Sequence, residues 1–346
     1  MADTKFNNAI SAALANLATA RIEIHKHVND RNFDDSKRIE ELAWLANDLL
    51  DRKIYAIEIE PAARYKEPVC EVPTPFVEII DEVDGVSGMV DACVEEVLAK
   101  ADVHDGPDLY MDCEGQNLGR EGTLTHINIY LPRRNKAFIL DIDQLGGTAF
   151  DIKGTTHETT LTKVLQDWSI KKAIFDCRSD SDVLFAHHKI ALDGVIDLQL
   201  LEIATSRTRK NAQKLNSLSS CIGRLNMQKS ARDHVLEIKE RGKEAMKQGN
   251  PFHERPLSKL MIEYSIGDLL LMPALYQYFT SRPGWNEEWA AREQHATTER
   301  LEVSRAPDFR EREKAGLISM KDAPEEWKSI DRFEDIEKAA RSSKGA

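Results

Sequence analysis

Four carboxylates and a tyrosine stand out in this chain because their spacing can gather negative charge at one point. Asp112 and Glu114 lie two residues apart in a strand-like run, Tyr110-Met-Asp-Cys-Glu114. A strand has a side-chain period of two, so both would leave one face of a sheet close together. Two anions at such range repel unless a cation lies between them. Oxygen donors of this hardness suit Mg²⁺ or Mn²⁺ rather than zinc. An Asp-x-Glu pair arises by chance in any acidic chain, so its weight depends on further carboxylates arriving on later elements.

Two later stretches supply them. Phe175-Asp-Cys-Arg-Ser-Asp180-Ser-Asp182-Val-Leu-Phe185 puts carboxylates where a short buried strand meets a helix. Sites in open α/β folds gather at such strand ends. Asp180 precedes Leu184 by one turn and would share its sheet-facing side, whereas Asp182 would point about 200° away. Either residue can instead act as a helix N-cap or first-turn anion. Asp176 is a third, weaker candidate. Tyr264 and Asp268, in Tyr264-Ser-Ile-Gly-Asp268, stand at i and i+4 and so on one face of one helix. The separations are 68 residues from 112 to 180 and 88 from 180 to 268.

The elements that must position these residues alternate in type. Apolar patterning predicts strands over 75–80, 108–114, 123–131 and 137–143, with Pro132-Arg-Arg-Asn135 as a turn between the last two. Short strands at 173–175 and 195–198 interleave with helices at 159–168, 181–188 and 199–206. Helix is expected over 86–100, over most of 214–248, and as two segments within 257–279. This order predicts an α/β fold built on a mixed sheet flanked by helices. Residues 1–74 read as a helical N-terminal extension and a linker broken by Pro61, Pro68 and Pro73. Residues 283–346 are highly charged and read as solvated helices with a partly disordered tail.

Composition narrows the classes. No apolar run is long enough for a membrane span, and Asp3 near the start leaves no secretory signal. Five cysteines without a C-x-x-C pair fit reduced thiols in an intracellular protein, cytoplasmic or nuclear. A net charge of -12 disfavours nonspecific binding of nucleic acid. Thr205 to Lys247 nevertheless holds 11 Lys+Arg against 4 Asp+Glu. Arg207, Arg209, Lys210, Lys214 and Arg224 could there line the path of a phosphate backbone. Phe252 and His253 can be base-stacking residues or core, and His187-His188 fit surface or capping histidines better than metal ligands.

The order Asp-x-Glu, Asp, Tyr-x-x-x-Asp resembles the 3′–5′ exonucleases of the DEDD superfamily, tyrosine-bearing branch, with a ribonuclease-H-like fold. The resemblance covers residues 75–282 and is carried by Asp112-Cys-Glu-Gly-Gln-Asn-Leu-Gly-Arg120, Phe175…Phe185 and Arg255-Pro-Leu…Tyr264-Ser-Ile-Gly-Asp268. Its flanks look most similar to fungal 3′–5′ exonuclease domain-containing proteins. Relatives place the second-motif Asp four to five residues before a paired apolar position. Leu184 and Phe185 occupy that place here, which favours Asp180 over Asp182.

The resemblance implies two-metal phosphodiester hydrolysis at a single-stranded 3′ end of RNA or DNA, with two Mg²⁺ or Mn²⁺ ions as cofactors. Asp112 would bridge both ions, Glu114 and Asp268 would bind the first, and Asp180 the second. Tyr264 would hold the attacking water by a hydrogen bond. The alternative expectation is a catalytically silent exonuclease fold that binds nucleic acid or a protein partner.

Overall fold

Alternation of side chains along buried strands builds the frame of the site. The computed structural model describes residues 70–99, 106–205, 214–282, 285–324 and Trp327, all within one compact unit. The strands are β1 (Phe76–Ile80), β2 (Leu109–Glu114), β3 (His126–Leu131), β4 (Lys136–Asp141), β5 (Lys172–Ile174) and β6 (Val195–Asp197). They form one sheet in the order β1-β4-β3-β2-β5-β6. β2, β3 and β4 are an antiparallel meander, while β1 joins β4, and β5 and β6 follow β2, in parallel. The expected mixed α/β sheet is therefore present. The expected helical N-terminal extension falls on residues outside the described ones.

Every residue of β3 is buried, which requires helices on both faces. One face packs Met111, Ile127, Ile129 and Leu140 against α1 (Val83–Leu98), α2 (Leu161–Gln166) and α3 (Arg178–His188). The other packs Tyr110, Tyr130, Ala137 and Ile139 against α4 (Leu198–Ala204), α5 (Leu218–Ile222), α6 (Lys229–Gln248) and α7 (Lys259–Thr280). Asp112 and Glu114 share the period of Tyr110, so they leave the sheet toward α7.

Two expectations need correction. The two segments expected within 257–279 are one helix, α7 (Lys259–Thr280), with Pro273 inside it. A proline costs one backbone hydrogen bond and clashes with the preceding turn. Here Leu269, Leu271, Met272 and Leu275 are wholly buried around it, and that packing keeps the helix continuous. The charged segment after 283 is also more than solvated helix. α8 (Glu287–Arg305) and α9 (Phe309–Lys314) return to the sheet's end. Trp289, Ala296 and Trp327 form a small core with Leu200 and Ile203 of α4. Among the described residues no helix is long and apolar enough to cross a membrane.

Candidate active site

Strand lengths explain how Asp180 reaches β2. β5 pairs only with Leu109 and Tyr110, so the later residues of β2 overhang it. The Cys113 backbone N–H, left without a strand partner on that side, donates to Asp180 Oδ1 at 2.9 Å. Asp180 stands in the first turn of α3, where the helix's own dipole also favours an anion. From the opposite side, α7 delivers Tyr264 and Asp268 onto the face of Asp112 and Glu114.

The electrostatics show that these residues meet. Burial, then Asp180 and Asp268, pushes the Asp112 carboxyl well above the usual range. Burial, then Asp112, Asp268 and Asp180, does the same to Glu114. Asp180 is pushed up to about 7, chiefly by burial against the opposing Cys113 hydrogen bond. The Tyr264 hydroxyl is raised by burial and by Glu114, Asp268 and Asp112, so it stays protonated at neutral pH. This is an anion cluster short of positive charge.

Asp182 has a different fate. It is wholly buried and accepts from Arg120 Nε at 2.7 Å, the Arg120 backbone N–H at 3.0 Å and Arg310 Nε at 2.7 Å. Gly119 makes room, since a Cβ there would lie 2.2 Å from Arg310 Nη2. Asp176 is bound bidentately by Arg178 at 2.6 and 2.8 Å. The structure thus groups Asp180 with Asp112, Glu114, Tyr264 and Asp268, and turns Asp182 and Asp176 to arginines.

Several residues at the site were not apparent from the motifs. Lys239, on α6, bonds both carboxylate oxygens of Asp268. Gly242, one turn on, lets α6 pass Tyr264, because a Cβ there would stand 2.1 Å from the ring's Cδ2. The clue lay in the apolar stripe Val235, Ile238, Gly242, where a lysine implies a buried anion opposite. Across the sheet, Glu114 pairs with His126 and His126 with Asp141. Burial would raise Asp141, but His126 and Arg255 hold it down at about 2. Asn128, opposite Asp112, is wholly buried and neither atom of its amide is hydrogen-bonded.

Two of the five basic residues of that stretch make pairs within the fold. Arg224 binds Glu202, Lys214 binds Asp322, and Arg207, Arg209 and Lys210 lie outside the described residues. Phe252 is core, 6.3 Å from the Tyr264 ring, and His253 pairs with Asp143. His187 lies 3.2 Å from the Arg120 carbonyl.

Four oxygen-donor side chains with a single ammonium among them fit a divalent ion by donor type. As the side chains stand, no three His, Cys, Asp or Glu residues among the described ones are drawn together to grip an ion. Lys239 holds Asp268 instead.

A family model described as 3′–5′ exonuclease matches residues 89–282. The chain belongs to that family. All five clustered residues lie inside the match, and α8 and α9 lie beyond it. The exonuclease chain is also 30% identical over 128 residues to the piRNA biogenesis protein EXD1 of Bombyx mori. That stretch is 36% of this chain and 38% of the relative. Among solved structures, Trypanosoma brucei RNase D in complex with RNA U12 superimposes with a TM-score of 0.52 at 17% identity. The match covers 68% of this chain and 72% of that one. RNase D without RNA gives 0.52 at 18% identity, over 68% and 75%. These likenesses carry the fold: the sheet and its helices are those of a ribonuclease-H-like DEDD exonuclease domain.

Proposed function

We propose that this protein is a divalent-metal-dependent 3′–5′ exonuclease of the tyrosine-bearing branch, cutting single-stranded 3′ ends of RNA or DNA. Asp112, Glu114, Asp180 and Asp268 would hold Mg²⁺ or Mn²⁺, two ions in all, and Tyr264 completes the catalytic set. The observation that carries this is the anion cluster itself. Asp112 is raised by burial, Asp180 and Asp268, Glu114 by burial, Asp112, Asp268 and Asp180, and Asp180 chiefly by burial, while their neighbours Asp176, Asp182 and Asp197 are all satisfied by arginines. A resident metal would supply Lewis acidity and a lowered water pKa. The chain's own contributions follow from its geometry. Asp180 is held by the Cys113 N–H and so cannot swing away. Tyr264 keeps its proton and can only position water or phosphate by hydrogen bonding, not act as a base. The low charge compensation disfavours binding of a polyanion until cations arrive.

RNA is favoured as substrate because the structural relatives are RNases, one of them in complex with RNA. The exonuclease domain is taken as 75–282, with extensions on both sides, in an intracellular protein whose five cysteines are all free. A second reading, a silent nucleic-acid-binding or adaptor module, draws on Lys239 filling the place of a cation at Asp268. Cleavage of 3′-labelled single-stranded RNA and DNA in Mg²⁺ and Mn²⁺ decides between them. Stepwise shortening by the wild type, lost in Asp112→Ala, is expected. RNA binding without turnover, unchanged in Asp112→Ala, would establish the silent module.

A further inference from the structure

α6 enters the site although none of the three motifs lies on it. Lys239 and Gly242, three residues apart, share one face of α6, and they meet Asp268 and Tyr264, four apart on α7. The Lys239 side chain is only 9% exposed and its ammonium is shared by both oxygens of Asp268. Its field also reaches Asp112 and Glu114, drawing both toward the charged form. Among the described residues no other Lys or Arg bonds a carboxylate of the cluster. One ammonium against four carboxylates leaves an excess of negative charge. It nevertheless occupies the two oxygens that a divalent ion would take at Asp268.

We propose that Lys239 is a built-in counter-ion of the carboxylate cluster, holding Asp268 until a divalent cation displaces it. It thereby sets the metal concentration at which the site assembles. The inference rests on the reading of the cluster as a divalent-metal site. An ammonium is a compact charge on a flexible stem, so it can yield its place without moving α6. An ion arriving at Asp268 must both displace it and tolerate a positive neighbour. Each raises the metal concentration needed and neither affects the other three ligands' identity. In the metal-free protein the same lysine lowers the repulsion that the cluster imposes on the fold.

Calorimetric titration of the full chain with Mn²⁺, together with thermal melting in EDTA and in Mn²⁺, tests this. Lys239→Met and Lys239→Gln should bind Mn²⁺ about tenfold more tightly than wild type, as removal of an adjacent like charge in a partly solvated site predicts. Both should melt lower than wild type in EDTA and recover in Mn²⁺, whereas Lys239→Arg should bind Mn²⁺ like wild type. Unchanged or weaker Mn²⁺ affinity in the two neutral variants would overturn the proposal and leave Lys239 a purely structural partner. Asp112→Asn is the control for the underlying reading. If wild type and Asp112→Asn take up Mn²⁺ alike, the cluster is not the metal site and the proposal falls with it.

Discussion

Two groups of carboxylates stand side by side at the end of this sheet, and their treatment is opposite. Asp176, Asp182 and Asp197 are each gripped by arginine: Arg178, Arg120 with Arg310, and Arg300. Burial would raise Asp197, yet Arg300 and the Asp176 N–H hold it below the usual range. Asp112, Glu114 and Asp180 have no arginine and are driven upward. Asp180 and Asp182 belong to the same helix, two residues apart, yet fall into different groups. A chain that can place arginines beside one set, and leaves the adjacent set short of cations, carries a charge deficit that an external cation can meet. The paired set uses residues of α8 and α9, so the segment beyond the family match locks the helix that carries Asp180.

Substitution of the two neighbours should separate the groups most sharply. Asp180→Asn should keep the fold and lower cleavage beyond the roughly 10–100-fold that loss of an outer-shell partner costs. Asp182→Ala should instead take from Arg120 and Arg310 the buried carboxylate they share, leaving Arg120 the Pro307 and Ser304 carbonyls and Arg310 its pair with Glu313, and cost about 3 kcal/mol of stability. Urea unfolding and single-turnover cleavage measure the two; equal effects of both changes on both readouts would break the comparison.

Arg300→Met should come next, costing about 3 kcal/mol in urea unfolding because Asp197 is wholly buried. The folded fraction should still bind Mn²⁺ as wild type does. Gly242→Ala is smaller in stability but specific in chemistry. Its Cβ would meet the Tyr264 ring, so kcat should fall by roughly tenfold or more with KM little changed. Steady-state kinetics on a short 3′-labelled oligonucleotide would show it.

The smallest effect is a pH dependence of opposite sign in the two groups. A carboxyl raised in the folded state binds protons there more readily than in the unfolded chain. Asp180 therefore costs the metal-free protein stability above about 7 and relieves that cost as pH falls. Asp180→Asn should melt higher than wild type at pH 8 in EDTA, with the gap closing toward pH 5. Asp197, held low, stabilises at neutral pH and loses its contribution only as pH falls through its depressed pKa. The deficit of Arg300→Met should accordingly be full at pH 8 and at pH 5, and shrink only in stronger acid.

Much of this arrangement was legible in the chain. The six strands and the common face of Asp112 and Glu114 follow from a period of two along apolar runs. The sheet-facing side of Asp180 follows from its spacing to Leu184, and the Tyr264–Asp268 pair from the helical repeat. The failures have a common origin. The continuity of α7 through Pro273 depends on burial that local propensity does not register. The docking of α8 hides in a sequence dominated by charge, because its buried residues mix Trp289, Ala296 and Leu301 with Glu293, Thr297 and Ser304. Of the basic residues read as a nucleic-acid path, Lys214 and Arg224 answer acids elsewhere in the fold, while Arg207, Arg209 and Lys210 lie outside the described residues.

By itself, then, the sequence determined which carboxylates exist, the element that carries each, and the face from which each departs, since these follow from repeats of two and 3.6 residues. Only the tertiary structure decided which of them are neutralised. Asp182 meets arginines 62 and 128 residues away, and Asp268 meets a lysine 29 residues back. Coulomb attraction depends on distance in space and on the local dielectric. Separation along the chain carries neither.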